Sequence, residues 1–324
     1  MNDREARLLA RAFGLGTAKG GAMPVARGEM GRIWRLDTDR GRFAVKELFD
    51  PPDEADAQAD VGFQRVALDA GLAIPRPLVR PDGGVLQEVE RDGGPVAMFR
   101  AYSWVDLADP PCAPRPAVAA ALLARLHRLD RPADATMTAW FSEPLGAEGW
   151  ASLLDAVRRG APPWLEALER LAPAAEAAEA IVTDAGLDRL PIVDLRRCHL
   201  DFNPENVLLD VAGEPVILDW ENSGPAPCEQ ELACAILDFA AKPSAARDFL
   251  RDYRQAGGPA HVTGRRSFAM AVAIQSHLAD VYARGGAAPT SDEVRARMAH
   301  RIDELSRTLF TIESIDRLLD ALVA

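Results

Sequence analysis

Patterns typical of β-strands are concentrated in the first hundred residues of this chain, and helical patterns fill most of the remainder. β-branched and aromatic residues between turn signals predict strands at residues 30–36, 43–48, 85–89 and 96–101. A short helix at 4–13 and a longer one at 54–70 complete this part. We therefore expect an α+β protein whose first lobe is β-rich with one main helix.

After residue 104, alanine and leucine recur at helical spacing. The pattern predicts helices at 116–129, 147–158, 163–180, 229–241, 245–255, 265–284 and 291–322. One hairpin, with strands near 207–209 and 216–218, is the clear β signal in this half. Because 324 residues exceed what one hydrophobic core usually covers, we expect two lobes, residues 1–101 and 102–324.

The charge and composition of the chain argue against several classes of function. The formal net charge of −12 argues against a general nucleic-acid binder, whose surface is basic. No apolar run of eighteen residues and no signal-peptide core are present in the sequence, so we expect no membrane partner and a cytoplasmic protein. The cysteines are Cys112, Cys198, Cys228 and Cys234, and their spacing matches no zinc-ligand pattern.

One segment carries a closely spaced set of polar residues, CHLDFNPENVLLD at 198–210 followed by VILDWE at 216–221. It contains the series H-x-D-x-x-x-x-N and then, after twelve residues, a further Asp: His199, Asp201, Asn206 and Asp219. Phosphoryl transfer from a nucleotide requires a carboxylate that orients the acceptor hydroxyl and oxygen ligands for Mg²⁺. Each residue alone is more often structural, as a solvated loop residue or a helix cap. All four residues in this order, with a predicted hairpin before the last of them, indicate a catalytic site and not four separate structural roles.

This segment resembles the catalytic loop and metal-binding segment of the aminoglycoside phosphotransferase and choline kinase-like families, which share the protein-kinase fold. The resemblance implies that Asp201 is the catalytic base, that Asn206 and Asp219 bind Mg²⁺, and that His199 supports the catalytic loop. It also implies a bilobal fold with a nucleotide-binding N-terminal lobe and a helical C-terminal lobe for catalysis and substrate binding.

Lys46, in the predicted strand FAVKE, resembles the kinase lysine that contacts the α- and β-phosphates of the nucleotide. The alternative is a lysine on the solvent face of a strand, but lysine occurs at only two other positions, 19 and 242. The family spacing implies Asp60 as the acidic partner of Lys46, with Glu54 or Asp56 as alternatives if the helix is shifted.

Four further residues occupy positions that the family uses for the nucleotide. Gly28 and Gly31 stand where a nucleotide-covering loop is expected, although a plain hairpin turn explains them equally well. Arg100 and Tyr102 fall in the expected hinge between lobes, where the backbone would bind the purine.

Three further candidate residues lie after residue 104, in the predicted helical part of the chain. Glu229 and Glu231 precede a predicted helix, where a carboxylate is favourable at the N-terminus; contact with a cationic or hydroxylated acceptor is the functional alternative. His127 is expected to be a packed core residue.

The resemblance implies transfer of the γ-phosphate of ATP or GTP, with Mg²⁺, to a hydroxyl group of a small molecule. The net charge favours a polycationic antibiotic such as an aminoglycoside. A primary metabolite such as an amino alcohol, homoserine or a sugar is the alternative. A catalytically silent nucleotide-binding regulator is a further one, against which the intact Asp201, Asn206 and Asp219 argue.

Overall fold

The structure is a computed structural model that describes residues 1–28, 30–91, 94–159, 162–240, 242–287 and 291–323. The chain forms two compact units. The first unit comprises Met1–Arg115 and Pro204–Ser223, and the second comprises Pro116–Asn203 and Gly224–Ala324. The expected α+β class is confirmed, with the sheet in the first unit and most helices in the second. The functional division at residues 101 and 102 stays a prediction.

The first unit is built on a five-stranded antiparallel sheet. Its strands are β1 (Met23–Arg27), β2 (Gly31–Thr38), β3 (Gly41–Leu48), β4 (Gln87–Val89) and β5 (Ala97–Ser103), and their order in the sheet is β1-β2-β3-β5-β4. The sequence does not predict β1, because all five of its residues are exposed and it lacks the alternation of a half-buried strand. On β3, Lys46 lies opposite Ile33 of β2 and Arg100 of β5.

Two helices cover this sheet, α1 (Asp3–Ala12) and α2 (Glu54–Asp69). Asn2 and Glu5 form a capping box at the start of α1, and the Asp53 side chain caps α2 by accepting from the backbone N–H of Asp56. The apolar residues of α1 and the sheet form one core cluster, and those of α2 pack in a second.

The segment 204–223 adds a hairpin to the first unit. Strands β7 (Val207–Leu209) and β8 (Pro215–Ile217) pair antiparallel, as predicted. A 3-10 turn, Trp220–Asn222, follows, and the ring of Trp220 meets Phe63 of α2 edge-on with centroids 5.4 Å apart. This packing anchors the turn against α2.

The second unit is mainly helical. Its helices are α3 (Pro116–His127), α4 (Ala139–Ser142), α5 (Gly146–Arg158), α6 (Leu165–Ala178), α7 (Ala180–Ala185), α8 (Cys228–Phe239), α9 (Pro243–Gln255), α10 (Ala269–Ala287), α11 (Asp292–Thr308) and α12 (Ile312–Val323). Two short strands, β6 (Arg196–Cys198) and β9 (Gly224–Ala226), pair antiparallel. Unlike β7 and β8, these two strands are far apart along the chain, so no hairpin pattern predicts them.

The single helix expected at 291–322 is wrong, because the structure has two helices there, α11 and α12. The backbone at Leu309 is extended, which ends α11. Thr311 then caps α12: its hydroxyl accepts from the backbone N–H of Ser314, whose own hydroxyl accepts from the N–H of Thr311. Over the described part of the chain, no helix combines the length and apolar character that crossing a bilayer requires.

Candidate active site

Lys46 is almost completely buried, with its ammonium held by two carboxylates of the first unit. Nζ donates to Asp219 Oδ1 at 2.5 Å and to Glu221 Oε2 at 2.9 Å. Burial disfavours the charged form, but Glu221 and Asp219 more than offset this and raise the pKa of Lys46. The structure therefore places Lys46 inward, and not on the solvent face of its strand.

Glu221 binds Lys46 and Tyr102 at the same time. Its Oε2 accepts from Lys46, and its Oε1 accepts from the Tyr102 hydroxyl at 2.8 Å. Burial opposes ionisation of Glu221, yet Lys46, Asp219 and Arg100 lower its pKa. Glu221 is thus a fixed carboxylate, with 12 % of its side chain exposed against 40 % for Asp219. In the sequence, Glu221 is marked by nothing more than its position two residues after Asp219.

Asp60 does not contact Lys46, which corrects the predicted pairing. Its Oδ2 accepts from Arg100 Nη2 at 2.9 Å, and its Oδ1 accepts from the Ser223 hydroxyl at 3.0 Å. Arg100 lies opposite Lys46 on β5, and its long side chain reaches α2. The short carboxylate of Asp60 is therefore engaged by Arg100, and Glu221 supplies the buried negative charge beside Lys46.

Gly28 directly follows β1 and Gly31 is the first residue of β2, and the Gly28 N–H donates to the Gly31 carbonyl at 3.0 Å. Residue 29 of the predicted loop lies outside the described residues. A Cβ at Gly31 would stand 2.4 Å from the Glu47 carbonyl oxygen and 3.2 Å from Lys46 Cε. A Cβ at Gly28 would meet nothing within 4 Å. Gly31 is therefore required by close packing beside Lys46, whereas Gly28 is not.

The hairpin register brings Asn206 and Asp219 together. The Leu218 N–H donates to the Asn206 carbonyl at 2.7 Å, directly beyond the Val207–Ile217 pair. Asp219 follows Leu218 in a left-handed conformation, with φ 56° and ψ 68°, which is uncommon for a residue with a side chain. Burial and the negative charge of Glu221 raise the pKa of Asp219 above its ordinary value.

The side-chain oxygens of Asn206 and Asp219 are suitable ligands for a small divalent cation. Asn206 and Asp219 carry amide and carboxylate oxygens, the ligand atoms that Mg²⁺ prefers, and Mg²⁺ usually takes few protein ligands. The Asp219 side chain keeps 40 % of its surface exposed, which leaves room for a cation and its waters. Burial, and after it the negative charge of Glu221, raises the pKa of Asp219, and a bound cation would oppose both effects by stabilising the ionised carboxylate.

The second unit contains the loop with His199 and Asp201, which follows β6. His199 is fully buried, and its Nδ1 accepts from the Asp201 N–H at 3.3 Å. Leu200 between them has φ 63°, a left-handed conformation that is costly for a bulky residue. Asp201 Oδ1 accepts from Asn203 Nδ2 at 2.7 Å. No motif in the sequence identifies Asn203, although it lies two residues from Asp201.

Glu231 supports this loop from α8. It is buried, and its Oε1 accepts from the Leu200 N–H at 2.6 Å while its Oε2 contacts His127 Nε2 at 2.8 Å. His127 Nδ1 in turn contacts the Tyr253 hydroxyl at 2.7 Å. The expectation of a packed core histidine is confirmed, with the addition of two buried hydrogen bonds. Both oxygens of Glu231 are therefore engaged within the protein.

Glu229, the other predicted acceptor residue, is partly exposed near the start of α8. Its Oε1 accepts from the hydroxyls of Ser267 and Thr263, the latter at 3.2 Å. Glu229 and Glu231 thus have different surroundings, although they are two residues apart.

Several solved structures have a fold similar to that of this chain. The fold is similar to a spectinomycin phosphotransferase in complex with ADP and spectinomycin (TM-score 0.58, 12 % identity, 99 % of this chain and 98 % of that chain). It is also similar to a microcompartment-associated aminopropanol kinase (TM-score 0.60, 12 % identity, 98 % of each chain). A choline/ethanolamine kinase family protein from Mesorhizobium loti matches with TM-score 0.53 and 20 % identity over 99 % of each chain.

The structural similarity confirms the protein-kinase-like fold. A search of curated protein sequences finds no significant match. The model of the phosphotransferase enzyme family, in contrast, matches residues 21–267, most of the chain, including Lys46 and the segment 198–221. This chain therefore belongs to the phosphotransferase enzyme family.

Proposed function

We propose that this protein transfers the γ-phosphate of ATP, in the presence of Mg²⁺, to a hydroxyl group of a small cationic molecule. The observation that carries the proposal is the cluster of Lys46, Asp219 and Glu221, which holds a buried ammonium beside a partly exposed carboxylate. Such a pair suits a triphosphate and its cation. The spectinomycin phosphotransferase complex contains ADP, which supports an adenine nucleotide.

The first unit supplies the nucleotide and metal residues in this proposal. Lys46 binds phosphate oxygens as a compact cation, and Glu221 keeps it charged and oriented. Asn206 and Asp219 would hold Mg²⁺, which when bound neutralises the phosphate charge. The Gly28–Gly31 turn covers the nucleotide, and the β5 segment with Arg100 and Tyr102 provides the hinge backbone.

The second unit supplies the catalytic base. Asp201 accepts a hydrogen bond from the acceptor hydroxyl and orients it for in-line attack, and most of the rate gain comes from positioning. Asn203 fixes the Asp201 carboxylate, while His199 and Glu231 hold the loop backbone. We assign Glu231 to loop positioning because its carboxylate is buried and engaged. Glu229, which is partly exposed, is the residue that contacts the acceptor.

The proposed acceptor class is an amine-bearing alcohol, either an aminoglycoside or another antibiotic, or an amino alcohol of metabolism. Two solved structures of similar fold are named for spectinomycin and aminopropanol, and both of these compounds carry amino and hydroxyl groups. The net charge of −12 supports a cationic acceptor through long-range attraction.

The test is Mg²⁺-dependent ADP release with aminoglycosides, other antibiotics, amino alcohols and neutral sugars, using the wild type and Asp201→Ala. We expect turnover with a cationic acceptor that is lost in Asp201→Ala, while ATP binding is retained. Asp188→Ala, a surface change in the same unit, serves as the control and should behave as the wild type. ATP binding without turnover on any acceptor would favour a regulatory protein, and preference for a neutral sugar would overturn the acceptor class.

A further inference from the structure

Two cysteine thiols that the proposed phosphotransfer does not use lie side by side in the second unit. Cys198 is the last residue of β6 and Cys228 is the first residue of α8, and their Sγ atoms are 4.0 Å apart. Cys198 is completely buried, whereas Cys228 is partly exposed. One thiol of the pair is thus accessible to a reagent, and the other is in reach behind it.

The surroundings make the two sulfurs chemically different. The single Cys198 S–H has two acceptors in reach, the Ala226 carbonyl at 3.7 Å and the Cys228 sulfur at 4.0 Å. Donation to Cys228, against the effect of burial, lowers the pKa of Cys228 to about 7. The positive charges of His127 and Arg196 act in the same direction, and the Glu231 carboxylate opposes them. The same hydrogen bond and burial raise the pKa of Cys198. Cys228 is therefore the nucleophilic thiolate, and Cys198 remains a thiol.

A metal ion is the other occupant that this cluster suggests, because ligand atoms of His127, Cys198 and Cys228 lie within 4.8 Å of one another. Both imidazole nitrogens of His127 are already engaged, however, Nδ1 by the Tyr253 hydroxyl and Nε2 by Glu231. A cation would have to displace Glu231, which also holds the Leu200 N–H. The geometry favours oxidation of the thiol pair over metal binding.

We propose that Cys228 and Cys198 form an oxidation site for hydroperoxides, with Cys228 as the attacking thiolate and Cys198 as the resolving thiol. The Cys228 thiolate attacks one peroxide oxygen, the O–O bond breaks, and the released hydroxide takes up a proton to give water and a sulfenic acid. The Cys198 sulfur then attacks the Cys228 sulfur, which forms the disulfide and releases a second water. Two thiols lose two electrons, and one hydrogen peroxide is reduced to two waters.

Formation of this disulfide has a structural consequence. The two sulfurs must approach from 4.0 Å to about 2 Å. Cys198 directly precedes the His199–Asp201 loop, and α8, which begins at Cys228, carries the Glu231 carboxylate that holds Leu200. Disulfide formation therefore displaces the two segments that position this loop, the end of β6 and the start of α8. If the proposed function is correct, oxidation lowers phosphotransfer turnover.

The experiment treats the purified full-length protein with hydrogen peroxide and maps thiols by peptide mass spectrometry. We expect a Cys198–Cys228 disulfide peptide that dithiothreitol removes. Cys198→Ser should instead accumulate a Cys228 sulfenic acid that dimedone traps, and Cys228→Ser should give neither product. Cys112→Ser, which removes an exposed thiol of the first unit, should form the disulfide as the wild type does.

Three results would overturn the proposal: oxidation at Cys112 with Cys228 left as a thiol, a Cys228 sulfenic acid that persists when Cys198 is present, or stoichiometric zinc on the purified protein that protects both thiols. Circular dichroism of each variant checks that it is folded. Because the disulfide is detected without any turnover assay, its absence is distinguishable from failure of the proposed phosphotransfer. Loss of wild-type turnover on oxidation, restored by dithiothreitol and absent in Cys228→Ser, tests the link to function separately.

Discussion

Lys46 and Glu221 are 175 positions apart in the sequence, yet their side chains form a 2.9 Å ion pair that is almost completely shielded from solvent. A second oxygen of Glu221 is held by Tyr102, so this carboxylate has a fixed position. The pair gives the first unit a preorganised ammonium without the use of Asp60, which Arg100 engages.

Replacement of Glu221 by glutamine should destabilise the first unit, because Lys46 loses one of its two neutralising charges. We expect a loss of about 2 kcal/mol, less than for a fully broken buried pair because Asp219 remains. Urea unfolding followed by tryptophan fluorescence measures this effect. The matched control is Asp106→Asn, which breaks the exposed Arg42–Asp106 pair and should leave the unfolding midpoint almost unchanged. Equal stability of the two variants would contradict a structural role for the Lys46–Glu221 pair.

Asn203→Ala should lower kcat by about tenfold, because the Asp201 carboxylate loses a charge-assisted hydrogen bond that orients it. The KM for ATP should change little, since Asn203 belongs to the second unit and has no proposed nucleotide contact. Steady-state kinetics with the preferred acceptor provides both values. Asp134→Asn, an exposed change in the same unit, is the control. An unchanged kcat with a raised KM for ATP would argue against positioning of Asp201.

Gly31→Ala and Gly28→Ala form a matched pair at the β1–β2 turn. The Cβ added at Gly31 would collide with the Glu47 carbonyl, so we expect a loss of about 2 kcal/mol through overpacking. The Cβ added at Gly28 meets open space, and stability should be retained. Thermal unfolding of the two variants decides between close packing and a general need for glycine in this turn. Equal unfolding midpoints would show that β2 and β3 can shift to accommodate the added Cβ at a low free-energy cost.

The Glu231–His127 pair should make stability depend on pH in a defined window. Burial opposes both charges, but the hydrogen bond between the residues raises the pKa of His127 above 6.5 and, with the Leu200 N–H, lowers the pKa of Glu231 below 4.5. The contribution of Glu231 is complete above pH 4.5 and is lost as pH falls through its folded pKa. The contribution of His127 is complete below pH 6.5 and is lost as pH rises through its folded pKa.

The wild type should therefore exceed Glu231→Gln in stability most strongly between pH 4.5 and 6.5, with a smaller difference on either side. Urea unfolding of both proteins at pH values across this range measures the difference. A difference that is independent of pH would mean that the pair does not ionise as described.

Much of the fold was accessible from the sequence, because the elements that matter have strong local signals. β-Branched and aromatic residues between turn signals predicted β2 and β3, and alanine and leucine at helical spacing predicted most helices. The predictions failed where local signals are weak or ambiguous. The exposed strand β1 has no alternation, and the Thr311 cap that separates α11 from α12 interrupts an otherwise continuous helical pattern.

The phosphotransferase family and the protein-kinase-like fold could be inferred from one short segment, since H-x-D, Asn and a second Asp must keep their order and spacing to act together. The hydrogen-bond and ion-pair partners of these residues could not be inferred from the sequence. Whether Lys46 pairs with Asp60 or Glu221, whether Glu231 faces an acceptor or supports Leu200, and whether Cys198 meets Cys228 depend on how distant segments pack. Charge pairing and burial are set by distances of a few ångströms between residues far apart along the chain, and no local pattern encodes such distances.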